Sequence, residues 1–158
     1  MPAEPYRVTY QLMLGKELVH SGEFEMHNLK KNEPIEVGRH PDCHISLAHM
    51  IEDAQDEQSA AAGTINEAMK HVNLVSRQHL LLAKPADRAG WILTSTGSND
   101  LPQVSYSRTS GENASHPLAK DQQIADVDAA KPINLTFPAP TDAKKNLRLM
   151  FTIAAPTH

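Results

Sequence analysis

The chain has 158 residues, of which 40% are hydrophobic and only 4% aromatic, and a net charge of −4 with histidines neutral. That length sustains one core of Leu, Ile, Val, Met and Ala without disulfides or metals, and the negative balance argues against nucleic-acid binding, which needs a basic face. A single cysteine, Cys43, excludes an intramolecular disulfide. No run approaches the roughly 20 apolar residues of a membrane span, and Met1 to Tyr10 lacks the apolar stretch of a signal peptide. The expectation is therefore a soluble cytoplasmic protein, with no membrane or nucleic-acid partner.

Taken in chain order, the elements are mostly strands. Tyr6–Leu14 reads as the first, closed by Gly15-Lys16. Gly22–Leu29 alternates polar and apolar residues, as a half-buried strand does. Pro34–Gly38 and His44–Leu47 are shorter candidates. His49–His71 breaks the pattern: it is rich in Ala, Glu, Gln and Met, without strand alternation. Within it Thr64-Ile65-Asn66-Glu67 fits a capping box, so a short surface helix is expected over Ile65–His71, with Ile51–Ala62 either helical or a mobile acidic loop. Leu80–Ala83 and Gly90–Thr94 read as strands around a turn at Pro85–Arg88, with Trp91 in the core. Ser105–His116 is polar and reads as an exposed loop. Ile133–Phe137 and Leu147–Ile153 alternate cleanly and read as a closing hairpin across a Pro-rich, charged turn. The fold class is thus all-β, a two-sheet antiparallel sandwich of about eleven strands, with a helical or mobile insertion around residues 48–72. A single domain spans residues 1–158, its core running from 6 to 153.

Three separated pieces carry the chemistry, each beside a predicted strand end: Val37-Gly38-Arg39, Val75-Ser76-Arg77-Gln78-His79, and Thr96-Gly97-Ser98-Asn99-Asp100. Loops on a rigid sheet scaffold are common homes for binding residues. Arg39 and Arg77 offer forked, charged donors suited to phosphate. Ser76, Ser98 and Asn99 add short neutral donors. Phosphothreonine carries about −1.5 to −2 charges and three strong acceptor oxygens, which such a pocket would match.

In these three motifs the chain resembles the forkhead-associated (FHA) family. That family shows a Gly-Arg at a strand end, a Ser-x-x-His motif and an Asn-Gly in a later loop. Here they stand as Gly38-Arg39, Ser76-Arg77-Gln78-His79 and Asn99-Asp100. Asp42–Leu47, Trp91–Leu93 and Leu118–Gln123 agree with the family's surrounding segments, with Lys120 where the last has Gly. The resemblance covers roughly Tyr6 to Ile153 apart from the insertion.

The resemblance implies an FHA β-sandwich that recognises a phosphothreonine-bearing partner protein, placed downstream of a Ser/Thr kinase. It implies that Arg39 and Ser76 contact the phosphate, that Arg77 adds charge, and that Ser98 lies beside the phosphothreonine. Asn99 would bind the adjacent peptide backbone, while Gly38 and His79 support the site. Two departures stand out. Asp100 replaces Gly and brings a negative charge near the phosphate. The insertion replaces a short connection; its Glu52, Asp53, Asp56 and Glu57 could shield the pocket, and Lys70 and His71 could extend it.

Other chemistries are weaker. Ser76 and His79 as nucleophile and base lack an orienting acid and an oxyanion loop, so no catalytic residue is assigned and no cofactor is expected. His40, His44 and His49 are close in sequence but match no structural zinc spacing; no metal is expected, and the histidines read as solvated. Cys43 reads as an inert, half-buried thiol. The alternative function is a phosphate-independent interaction or assembly subunit that uses the same scaffold and its insertion.

Overall fold

The computed structural model describes residues 6–26, 34–73, 80–84, 90–96, 103–137 and 146–154. These hold eleven strands and two helices. In order they are β1 (Tyr6–Leu14), β2 (Glu17–Met26), β3 (Ile35–Gly38), β4 (Ile45–Ser46), α1 (Leu47–Glu57), α2 (Ala62–Val72), β5 (Leu80–Ala83) and β6 (Trp91–Ser95). Then follow β7 (Gln103–Ser107), β8 (Asn113–Pro117), β9 (Gln123–Val127), β10 (Ile133–Phe137) and β11 (Leu147–Ala154). The strands form two sheets, β2-β1-β11-β10-β7-β8 and β4-β3-β5-β6-β9. The all-β, two-sheet expectation holds, with one refinement: β4 runs parallel to β3, pairing Val37 with Ile45 and Gly38 with Ser46.

Alternation along the strands builds the core. Val8, Tyr10, Leu12 and Leu14 of β1 point inward, as do Leu147, Leu149, Phe151 and Ile153 of β11, because successive residues of a strand face opposite sides. From the other sheet Leu80, Leu82 and Leu93 meet them, all fully buried. Each such side chain contributes about 1.5–3 kcal/mol on burial. Tyr6 and Trp91 join the sheets edge to face, with ring centroids 5.5 Å apart.

The second strand begins five residues earlier than its alternation suggests. The two-residue turn at Gly15-Lys16 pairs Leu14 directly with Glu17, and Gly15 takes the positive φ of 58° that such a turn needs. Residues 27–29 of the expected strand lie outside the described residues. The expected strand over His44–Leu47 shrinks to two residues because Ser46 caps α1, its Oγ accepting from the His49 backbone N–H at 3.3 Å.

The insertion is helical. α1 buries Leu47, Met50, Ile51 and Ala54, and α2 buries Ile65, Ala68, His71 and Val72; both are the one-sided stripe of an amphipathic helix. The capping box at Thr64 does not form. α2 starts at Ala62, and the Thr64 hydroxyl donates across to the Glu17 carboxylate on β2, so a tertiary contact displaces the local cap. Both helices pack on β2, and α2 also touches β11.

The expectation of a loop over Ser105–His116 is overturned. β7 and β8 form an antiparallel hairpin, Gln103 opposite Pro117 and Ser107 opposite Asn113. Val104 and Tyr106 supply the buried face of β7. β8 is an edge strand with no buried residue, and its polar composition and terminal Pro117 suit an unpaired edge.

Candidate functional site

Three strand ends align in the second sheet. Val37 of β3 pairs with Leu80 of β5, and Leu80 pairs with Ser95 of β6. The chain thus leaves β3 into Arg39, enters β5 from the segment after Asn73, and leaves β6 into the segment after Thr96, all from one edge. Asp121 and Gln122, just before β9, are tied to the same end: the Asp121 N–H donates to Ser95 O and the Ser95 N–H to Gln122 O, each at 2.9 Å. Asp121 takes a left-handed φ of 63° there, which Asp tolerates better than most residues.

Of the residues singled out by sequence, Gly38 and Arg39 are described. Gly38 is buried at the end of β3. Arg39 is half-buried, and its Nη1 donates to the carbonyl of Asn73 at 2.8 Å. A guanidinium has five N–H donors, so most remain for a ligand, and among the described residues no carboxylate pairs with it. Ser76, Arg77, His79, Ser98, Asn99 and Asp100 lie outside the described residues.

Asn73 was not singled out by sequence. It is the C-cap of α2, three residues before Ser76, so Arg39 is held by the backbone that leads into the Ser-x-x-His motif. The available signal was the end of the Ile65–His71 helix, but its carbonyl could not be matched to Arg39 without the tertiary fold.

The β3–β4 connection is braced by histidines. The Asp42 N–H donates to His40 Nδ1 at 3.0 Å, the Glu36 N–H to His44 Nδ1 at 3.0 Å, and His49 Nε2 donates to Pro41 O at 3.0 Å. These rings are engaged with backbone while His49 stays exposed and His40 and His44 half-buried. Two further histidines are buried, His20 at 6% exposure and His71 at 9%. Burial of His71, whose Nδ1 lies 2.9 Å from Glu67 O, corrects the expectation that it extends a surface pocket. Among the described residues no group of three His, Cys, Asp or Glu is arranged to hold a metal ion.

Cys43 sits in the same connection, buried, with its N–H donating to His40 O at 3.0 Å. Burial first, then Glu36, pushes its thiol up from the ordinary value, which disfavours the nucleophilic thiolate. The acidic residues of α1 are not gathered over Arg39. Glu57 pairs with His20 of β2 at 3.2 Å, Asp53 lines a cleft beside β2, and Glu52 lies 3.9 Å from His49.

No protein-family model, no curated protein and no solved structure matches the chain.

Proposed function

We propose that this chain is an FHA-type module that binds a phosphothreonine-bearing segment of a partner protein, acting by recognition and not by catalysis. In this reading it is one soluble cytoplasmic domain with its core over residues 6–153. The described residues contain no helix long and apolar enough to cross a membrane.

The observation that carries the reading is the row Val37–Leu80–Ser95. Ser76 precedes Leu80 by four residues and Asn99 follows Ser95 by four. Four residues span at most about 14 Å, a reach compatible with both lying at the edge from which Arg39 emerges. Arg39 supports the reading further, because its anchor on Asn73 O uses one donor and fixes the fork. Hydrogen bonds to a charged group contribute roughly 1.5–3 kcal/mol each, enough for a few to separate phosphorylated from plain peptide despite the negative net charge.

A calorimetric titration with paired peptides, one phosphorylated on threonine and one not, tests this. The phosphorylated peptide binds more tightly, and Arg39→Ala costs it about 2–4 kcal/mol while leaving the plain peptide unchanged. Equal affinity for the two peptides would sink the reading and favour a phosphate-independent contact.

A further inference from the structure

A second concavity lies between β2 and α1. It is a cleft of about 450 Å³ whose wall includes Tyr10, Gly22, Phe24, Glu23, Asp53 and Glu57. Tyr10 and Gly22 face each other across β1 and β2. A side chain at position 22 would approach the Tyr10 hydroxyl to 3.1 Å and the ring to 3.3 Å, so glycine leaves room for the phenol. Phe24 stands beside it, ring centroids 6.1 Å apart and tilted by 57°.

The chemistry of this wall selects a cation. Asp53 and Glu57 of α1 line it, and among the described residues no lysine or arginine does. Its histidines are already engaged: His20 with Ser59 and Glu57, His44 with the Glu36 N–H, and His49 with Pro41 O. Tyr10 is only 5% exposed, yet its hydroxyl lines the cleft with no hydrogen-bond partner among the described residues. Burial first, with Asp53 and Glu57 adding, pushes the Tyr10 hydroxyl up to about 12, which keeps it neutral. A neutral phenol oxygen accepts from a cationic N–H donor, and aromatic faces attract guanidinium and ammonium groups. β2 is the outermost strand of its sheet, the position beside which extended peptides dock.

We propose that the β2–α1 cleft receives an arginine side chain from an extended segment of a partner protein. The guanidinium lies between Tyr10, Asp53 and Glu57, and the stem packs on Phe24. Arginine fits better than lysine because its planar head both stacks on a ring and donates in a fork. Occupancy of this cleft does not depend on phosphate recognition by Arg39.

The test is a nuclear magnetic resonance titration of the full chain with the pentapeptide acetyl-Val-Thr-Arg-Thr-Val-amide and its citrulline counterpart, which keeps the shape and removes the charge. The arginine peptide shifts backbone amides of Ser21–Phe24 and His49–Asp53 saturably. The citrulline peptide binds about tenfold or more weakly, as the loss of a cation–aromatic contact and its charge requires. Asp53→Asn, on an exposed position, weakens the arginine peptide while leaving phosphothreonine-peptide affinity unchanged. Equal shifts from the two peptides, or shifts confined to other surfaces, would overturn the assignment. Concentration-dependent self-association of the chain that Asp53→Asn abolishes would also overturn it, reassigning the cleft to a second copy. The wild-type comparison of arginine with citrulline stands even if that variant fails to fold.

Discussion

The edge where β3, β5 and β6 end and the edge where α1 meets β2 use the same insertion in opposite ways. At the first, the far end of α2 offers a backbone carbonyl to the guanidinium of Arg39. At the second, α1 meets β2 through side chains: Glu57 on His20, and Ser59, whose hydroxyl donates to Val19 O at 2.6 Å and so accepts from His20 Nδ1 at 3.1 Å. The exposed chemistry there is anionic. One insertion therefore steadies Arg39 at one edge and lines an acidic cleft at the other.

The largest expected effect comes from undoing that docking. Ile65→Ala removes a side chain 4% exposed beneath α2 and costs about 2–5 kcal/mol in a denaturant titration. Hydrogen exchange of the 47–72 amides accelerates, and phosphothreonine-peptide affinity falls with it because Asn73 no longer holds Arg39. Unchanged peptide affinity in a destabilised Ile65→Ala would separate the two edges. Ser59→Ala is next. It leaves Val19 O and His20 Nδ1 without their shared partner, at about 1–3 kcal/mol, and loosens the acidic edge while sparing Arg39.

The smallest effect is a pH dependence confined to the acidic edge. Tyr10 ionises at 10.0 in the unfolded chain and at about 12 in the fold. Above pH 10 the unfolded state releases this proton first, so the stability linked to Tyr10 is fully present below pH 10 and is lost as pH rises towards 12. Denaturant titrations across that interval show the decline in the wild type and a shallower one in Tyr10→Phe. Identical slopes would remove Tyr10 from the acidic field.

Much of the scaffold was legible because burial follows a period of two. Tyr6–Leu14 and Ile133–Phe137 alternate in sequence, Leu80–Ala83 reads as an apolar run, and all three fold as strands with those bounds. β7 and β8 were hidden because Val104 and Tyr106 are the only inward residues in a polar stretch and β8 buries none. The start of α2 was misread because Thr64 is drawn to Glu17, a partner 47 positions away that no local pattern reveals. At the candidate site, Gly38-Arg39 was legible as a motif on a strand end. The tie to Asn73 was not, since it depends on where a two-helix insertion returns. Tyr10, Gly22 and Phe24 registered only as strand residues; their second use arises from the helix that packs beside them. The buried His20 and His71 were opaque for the same reason, because their burial is a product of docking.

The β7–β8 turn closes through Arg108 N–H to Glu112 O at 2.7 Å and Gly111 N–H to Arg108 O at 2.8 Å, and Arg108 bridges to Val127. Val127 pairs with Trp91, at the opposite end of β6 from Ser95. Gly111 has open space around it. A biotin acceptor tag or fluorophore inserted between Ser110 and Gly111 would therefore project from the far pole of the sandwich. Immobilised through that point, the protein presents its peptide-facing loops outward to whatever flows past.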